Sequence, residues 1–324
     1  MSEASSHASG PASGSASSER QGVARSVLAA LAAVYLIWSS TYFVIRLVVA
    51  HLPPFLAAGM RYLVAGLVML VIARAQGHTV PDRRAWGRAF VVGILLFVVG
   101  NGFVSIAARS LGSGVIAVVC GMMPLWGAVL GPLFGVPASR REWAGLVLGF
   151  LGVAVLALGD ELRAAPGATA LLLVAPVGWA IGSLLVRRWD LGKGLMGAAT
   201  QTILGGATIL GLGLAMGERM PEVIPLETIG AMAYLIVAGS LVGFAAYHHL
   251  LVHARPALAM SYAYVNPVLA VILGAALGGE PVGAHTIAGT VLIVGAVVAI
   301  VSRPRVRSRD ATPVASAAPE EVAS

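Results

Sequence analysis

The sequence predicts an all-α polytopic membrane protein with ten transmembrane helices, arranged as two inverted five-helix repeats. Of its 324 residues, 58% are hydrophobic and 11% are charged, whereas soluble domains carry about 45–50% and about 25%. The mean hydropathy is +0.89. The charged residues divide the chain into apolar stretches of about 20 residues, the length that crosses the hydrocarbon core of a bilayer. The two halves of the chain also resemble each other.

The apolar stretches predict helices, because a lone strand in lipid would leave its backbone groups unpaired. The ten predicted spans are 27–45, 55–73, 88–108, 114–135, 143–159, 168–186, 195–216, 229–251, 257–277 and 284–302. Residues 1–24 and 303–324 hold too little apolar surface to offset the entropy of ordering, so both are predicted to be disordered tails. The single cysteine, Cys120, excludes an internal disulfide.

The charge distribution predicts the orientation of the spans. A formal net charge of +7 does not indicate nucleic-acid binding here, because the basic residues lie in small groups between apolar runs. With the N-terminus inside, 16 of the 21 Lys and Arg residues fall on the cytoplasmic side and four on the opposite side. By the positive-inside rule, both termini are expected in the cytoplasm.

An internal repeat relates the two halves. In each half a Trp precedes an Arg by eight residues, at Trp38 and at Trp179, which are 141 positions apart. Near the end of each half a Pro and an Ala-Gly pair recur with an offset of 144. The repeats therefore cover residues 27–159 and 168–302, with five spans each. Because five is odd, the second repeat enters the membrane from the opposite side, an architecture typical of alternating-access transporters.

Four segments carry a family resemblance. They are IWSSTYFVIR (37–46), PPFLAAGMRYL (53–63), SYAYVNPVLAVILG (261–274) and GGEP (278–281), and they resemble the ten-helix EamA branch of the drug/metabolite transporter superfamily, especially its YedA-type inner-membrane exporters. The resemblance implies a basket of two inverted five-helix bundles in the bacterial cytoplasmic membrane, without a cofactor. Two positions depart from the family pattern: Ser39 replaces a usual Gly, and Val136 replaces a Glu whose repeat mate, Glu280, is present.

Arg61 and Glu280 are candidate gating residues. Arg61 lies within the second span, where a charge costs about 2.5–3.5 kcal/mol to insert, so we expect it to face the bundle interior. It is a candidate anchor for a substrate carboxylate, a candidate gate with Glu280, or a structural Arg that snorkels outward or bonds backbone carbonyls. Glu280 either stabilises the N-terminus of the last helix or pairs with Arg61 or Arg46 at the outer mouth.

Aromatic and polar residues within the spans predict the substrate path. Besides Arg61, they are Trp38, Tyr42, Asn101, Trp126, Trp179, Tyr247, Tyr262, Tyr264 and Asn266. Trp and Tyr suit amphipathic or cationic ligands but also form interfacial belts, whereas an amide in lipid must find a partner. His248, beside His249, is a candidate proton relay, with an interfacial polar pair as the alternative. No third ligand joins His249 and His253, so no metal site is predicted.

The function expected from the repeat and the resemblance is secondary export of small metabolites, amino acids or drugs by alternating access, with proton antiport as a candidate driving force. Import or exchange of a small metabolite, or a non-transporting membrane scaffold, is the alternative. An intramembrane enzyme is not expected, because the sequence holds no acids, bases or metal ligands at catalytic spacing. The expected partners are a small-molecule substrate and the lipid bilayer, and ten spans suffice for a functional monomer.

Overall fold

The computed structural model describes residues 12–135, 139–192, 194–254 and 261–301, and these ranges form helices without strands. The first half contains α1 (Ala12–His51), α2 (Pro54–Ala75), α3 (Arg83–Ala107), α4 (Ser113–Phe134) and α5 (Arg140–Ala157). A short helical turn, Asp160–Ala164, leads into the second half. Its helices are α6 (Pro166–Arg188), α7 (Gly194–Ala215), α8, α9 (Tyr262–Gly278) and α10 (Ala284–Val301). Helix α8 consists of three consecutive segments, Leu226–Tyr234, Leu235–Val242 and Gly243–His253.

The helices are those of a polytopic membrane protein. Seven are long and apolar enough to cross a membrane, namely α1 over Ala24–His51, α2, α3, α4, α6, α7, and α8 over Leu226–Tyr247. Shorter apolar segments lie in the other three, at Trp143–Ala157, Val265–Gly278 and Ala284–Val298. Large aliphatic side chains such as Val71 and Val291 are exposed on the outside of the bundle, where hydrocarbon tails can replace water. The predicted all-helical membrane fold is confirmed at this level.

Helix α1 is longer than the first predicted span at its N-terminal end. It begins at Ala12, whereas the predicted span begins at residue 27. Extending an existing helix forms one hydrogen bond for each residue that is ordered, so a polar segment can continue the apolar helix that follows it. The predicted C-terminal tail, the start of the ninth span at residue 257, and Val136 lie outside the described residues.

Helices α3 and α8 each contain a π-helical segment, at Ile94–Gly102 and Leu235–Val242. The two segments begin 141 residues apart, the same offset that separates the repeated Trp residues. In each segment a polar side chain donates to the carbonyl five residues earlier, Asn101 at 2.9 Å and Ser240 at 3.1 Å. Such π turns are common at functional sites, and here they occur at equivalent places in the two halves.

The packing of the helices is the same when the halves are exchanged. α1 packs against α8 and α9, and its repeat counterpart α6 packs against α3 and α4. Each of the pairs α2–α7, α4–α9 and α5–α10 joins a helix to its own counterpart. The main buried core accordingly combines both halves, including Leu111, Ile116, Leu172 and Ile293.

The counterpart helices α2 and α7 run antiparallel. A β-carbon at Gly59 would lie 2.6 Å from the Leu210 nitrogen, and one at Gly66 would lie 2.8 Å from the Ile203 side chain. Residue numbers therefore rise along α2 while they fall along the facing side of α7. Glycine contacts between α5 and α10 show the same reversed order. Glycine permits this close approach of backbones in a membrane bundle.

Candidate functional site

A cavity of about 120 Å³ is enclosed by helices of both halves. Its wall is formed by α1, α2, α3 and α4 of the first half and by α6, α8 and α9 of the second. One water molecule needs only about 10–15 Å³ of such volume, so the space is sufficient for a small organic molecule. A cavity at the junction of two repeats is the arrangement expected of a transport site.

Seven of the predicted path residues line this cavity. They are Trp38, Tyr42, Arg61, Asn101, Trp179, Tyr262 and Asn266. Five different helices supply them, so residues that are distant in the sequence meet around one space. The structure thus brings most of the predicted path together.

Arg61 is buried, with 7% of its surface exposed. Its Nε donates to Ser240 Oγ at 3.1 Å, and its Cζ lies 4.8 Å from the centre of the Tyr62 ring. Among the described residues, no carboxylate lies within 4.0 Å of the guanidinium. Arg61 therefore faces the interior as predicted, but the predicted pairing of Arg61 with Glu280 is not present.

The repeated Trp residues, Trp38 and Trp179, both press against glycines of the opposite half. Trp38 Nε1 donates to the Gly239 carbonyl at 3.3 Å, and a β-carbon at Gly243 would lie 2.4 Å from the same nitrogen. A β-carbon at Gly100 would lie 2.9 Å from the Trp179 ring. Since the glycines belong to α3 and α8, close to or within their π segments, each indole is held against the irregular helix of the other repeat.

Asn266 finds a polar partner in α1. Ser39 Oγ donates to Asn266 Oδ1 at 3.1 Å, and both residues are buried. Ser39 is the position where the family pattern usually has Gly. The Ser39 hydroxyl also contacts the Tyr35 carbonyl, so its single hydrogen is shared between two acceptors, and the contact with Asn266 links the two halves of the chain.

Two predicted path residues, Trp126 and Tyr247, do not line the cavity. The helix of α4 is interrupted after Cys120, and the next segment packs against α5, so the Trp126 ring lies 5.4 Å from the Phe150 ring. Tyr247 lies behind the cavity wall, with ring centres 5.3 Å from Trp38 and 5.4 Å from Tyr262. The predictions for these two residues are therefore wrong for this cavity.

The structure describes the side chains of only some of the predicted histidine and tyrosine candidates near the ends of α8 and α9. The side chains of His248 and Tyr264 lie outside the described residues. His249 hydrogen-bonds Ser26 at 3.0 Å and stacks on His253. Among the described residues, no group of three His, Cys, Asp or Glu side chains could hold a metal ion.

The cavity also has lining residues that were not predicted, including Thr41, Tyr62, Cys120 and Phe244. Thr41 and Tyr62 adjoin predicted residues, but neighbours on a helix point about 100° apart, so adjacency alone did not select them. Nothing in the sequence marks Cys120 and Phe244 as cavity residues, because a thiol or a phenyl ring in an apolar span commonly packs in the core.

A second cavity, of about 220 Å³, is lined by Arg46, Gly114, Glu280 and Thr286 among others. Arg46 Nη1 donates to Glu280 Oε1 at 2.6 Å, and the Gly114 nitrogen donates to Oε2 at 3.3 Å. Glu280 thus pairs with Arg46, one of the two predicted partners. It also meets the N-terminus of α4, whereas the sequence suggested the last helix.

The environment of Glu280 keeps its carboxyl charged. The side chain is 7% exposed, and burial by itself would raise the pKa of this carboxyl. Hydrogen bonds from Ser113, Arg46 and Gly114 outweigh burial and hold the pKa below its ordinary value of 4.5. A carboxyl in this position is ionised throughout the neutral range.

Residues 25–158 and 167–302 each match the model of the EamA-like transporter family. The chain belongs to this family. This EamA protein is 39% identical to the inner membrane transporter YedA of Escherichia coli (strain K12) over 252 residues, which cover 78% of this chain and 82% of YedA. It is 25% identical to the protein PecM of Dickeya dadantii and 23% identical to the transporter YvbV of Bacillus subtilis, each alignment covering 82% of this chain and 88% of the relative.

A solved crystal structure shares the fold of this EamA protein. It matches with a TM-score of 0.60 at 19% identity, over 86% of this chain and 99% of the other. The family assignment and the apolar helices together identify the chain as a membrane transporter. Its relative YedA is an inner membrane transporter, which, together with the apolar helices, supports the predicted location in a bacterial cytoplasmic membrane.

Proposed function

We propose that this EamA protein is a secondary transporter that exports small organic molecules from the cytoplasm by alternating access. The observation that carries the proposal is the cavity of about 120 Å³ whose wall is built by both repeats. Rocking of one repeat against the other would expose such a cavity to each side of the membrane in turn. Because one chain encloses the cavity, a monomer suffices for transport.

The proposal includes ten membrane spans in two inverted repeats, with both termini in the cytoplasm. Helices α5, α9 and α10 are 18, 17 and 18 residues long, and a span needs about 17–25 residues. The antiparallel packing of α2 with α7 supports inversion, as two parallel repeats would bring equivalent helices together with the same direction. The two family matches support the division of the chain into halves.

The Arg46–Glu280 ion pair is proposed as a gate on the external side. It joins α1 of the first repeat to the α9–α10 loop of the second across 2.6 Å. A rocking movement that opens this side must separate the two side chains. Because the lowered pKa keeps Glu280 ionised, we assign it to the gate and not to proton transfer; His248 stays the candidate proton relay.

The direction of transport follows from the driving gradient and not from the fold, since alternating access is reversible. We assign export because the motifs resemble inner-membrane exporters. An importer or exchanger would use the same cavity, and a scaffold would have no need of one. Proton antiport predicts that an inward proton gradient accelerates efflux.

The test uses purified protein in proteoliposomes loaded with labelled amino acids, nucleosides and cationic drugs, with and without a pH gradient. Wild-type protein is expected to release at least one class faster than empty liposomes. Trp179→Ala removes an aromatic wall of the cavity and should slow that flux by about tenfold, the equivalent of about 1.4 kcal/mol. Trp126→Ala is the matched control, because Trp126 packs on Phe150 outside the cavity.

Three results would contradict the proposal. Flux equal to that of empty liposomes for every solute would exclude a transporter of these classes. Equal loss of flux in Trp126→Ala and Trp179→Ala would exclude the cavity as the transport site. If cells that express the protein accumulate more solute than cells with an empty vector, the direction of transport is import and not export.

A further inference from the structure

Arg61 is the one charged residue in the cavity wall among the described residues. The wall contains no Asp, Glu, Lys or His side chain from that part of the chain. The remaining polar groups are hydroxyls, amides, a thiol and the Trp ring nitrogens. The electrostatic character of the cavity is therefore set by one guanidinium.

The guanidinium is incompletely paired. Ser240 accepts from Nε at 3.1 Å, and the two terminal nitrogens have no hydrogen-bond partner among the described residues. A buried charge without a counter-ion is unfavourable, because it loses hydration without gaining an opposite charge. An anion would supply the missing counter-ion and hydrogen-bond acceptors of the Arg61 guanidinium. A carboxylate matches its two parallel donors.

The repeat shows that helix packing does not require this charge. Helices α2 and α7 are both 22 residues long and begin 140 positions apart, so the residue of α7 that corresponds to Arg61 is Gln201. A neutral residue thus fills the equivalent place on the counterpart helix. At the same time, Gly239 leaves space for the guanidinium, since a β-carbon there would lie 3.1 Å from Arg61 Nη2.

The rest of the wall suits an apolar body. Rings of Trp38, Tyr42, Tyr62, Trp179 and Phe244 line the same cavity as Arg61. Aromatic faces also attract cations, but a cation here would share a low-dielectric space with a positive guanidinium, and like charges repel strongly in such surroundings. The sequence-based expectation of cationic ligands is therefore not favoured by this cavity.

We propose that the solute carried by this protein is a small organic anion, a carboxylate on an apolar or aromatic body, whose carboxylate binds Arg61. This inference rests on the proposed transport function and specifies its substrate class. The neutral hydroxyl and amide groups of the wall then orient the body of the solute. Cationic and neutral solutes of the same size bind more weakly.

The test compares benzoate, benzyl alcohol and benzylamine, which share a ring and differ in charge. Each is added at the same millimolar concentration and ionic strength to the detergent-purified full chain, and the melting temperature is measured. Benzoate is expected to raise the melting temperature by a few degrees through binding to the folded state, and the other two to raise it less. Arg61→Gln should abolish the benzoate shift.

Two further variants keep the test decisive. Arg74→Gln removes an exposed arginine from the same helix and should retain the full benzoate shift. Arg61→Lys keeps the charge but loses the planar pair of donors, so it should reduce the shift without reversing the preference for the anion. This variant carries the test if Arg61→Gln does not elute as a monodisperse protein.

The inference is overturned if benzoate gives no shift, if benzylamine or benzyl alcohol matches it, or if the benzoate shift persists in Arg61→Gln. The proteoliposome assay separates this failure from that of the transport function. Transport of neutral or cationic solutes that is insensitive to Arg61→Gln would overturn the anion assignment alone. An Arg61-dependent benzoate shift without transport of any solute, labelled benzoate included, would overturn the transport function alone.

Discussion

Arg46 and Glu280 form an ion pair between the two halves of the protein, with Nη1 and Oε1 2.6 Å apart. Arg46 belongs to α1, and Glu280 lies in the loop between α9 and α10. The second carboxylate oxygen accepts from the Gly114 nitrogen at the start of α4. One carboxylate therefore joins three elements that are far apart in the sequence, at the place where the second cavity lies.

The first prediction concerns the strength of this pair. In a double-mutant cycle of Arg46→Gln and Glu280→Gln, we expect a coupling of about 1–3 kcal/mol, between the values for exposed and buried pairs. The intermediate value follows because Glu280 is 7% exposed while Arg46 is 43% exposed. The measurement is chemical unfolding in detergent micelles. Additive effects of the two substitutions would contradict the prediction.

The second prediction is a pH dependence of stability. Because the pKa of Glu280 is lower in the folded protein than its ordinary value of 4.5, its contribution is complete above that value. The contribution is lost as pH falls through the lowered pKa of the folded state. Melting temperatures measured from neutral pH down to acid should fall more steeply for the wild type than for Glu280→Gln. Glu222→Gln, at an exposed position, should retain the wild-type slope.

The third prediction concerns the space behind Trp38. Gly243→Ala places a β-carbon 2.4 Å from Trp38 Nε1, so the indole must move and the cavity wall changes. We expect transport to fall severalfold in the proteoliposome assay. Gly230→Ala is the matched control in the same helix, since nothing lies within 4 Å of the added carbon. It should preserve transport and slightly stabilise the helix, by up to about 1 kcal/mol. Equal transport by the two variants would exclude this role of Gly243.

The fourth prediction concerns Glu218, whose carboxylate accepts from the Leu56 nitrogen at 2.8 Å and from the Phe55 nitrogen at 3.3 Å. It caps the N-terminus of α2 from the loop that follows α7. Glu218→Ala should cost about 1 kcal/mol of unfolding free energy, as the loss of a helix cap does. Glu222→Ala in the same loop should be nearly neutral. Similar losses from both substitutions would show that Glu218 has no special role.

Local pattern predicted the helices because hydropathy depends on residues near each other in the chain, and comparison of one half of the sequence with the other predicted the repeat. Apolar stretches of membrane length give helices whatever they pack against, and Trp38 and Trp179 recur at one offset. The extension of α1 back to Ala12 was not predicted. The composition of a segment does not show whether that segment continues a neighbouring helix.

Which side of each helix is buried and which faces lipid could not be predicted in the same way. In a soluble protein a polar side marks the outside of a helix, but lipid tails are as apolar as a protein core. Val34 is fully buried and Leu36 is 61% exposed, although nothing in their chemistry separates them. For the same reason Trp126 and Trp179 looked equivalent, and only the break in α4 turned one toward Phe150.

The sequence by itself determined an all-helical membrane protein with two related halves, because hydropathy and repetition are properties of the chain alone. It also identified Arg61 as an interior charge, because a cation in a span cannot remain in lipid. The tertiary structure decided which residues meet: that Glu280 pairs with Arg46 and that Arg61 has no described carboxylate beside it. Those relations depend on how helices from the two halves approach each other, and no local pattern records that geometry.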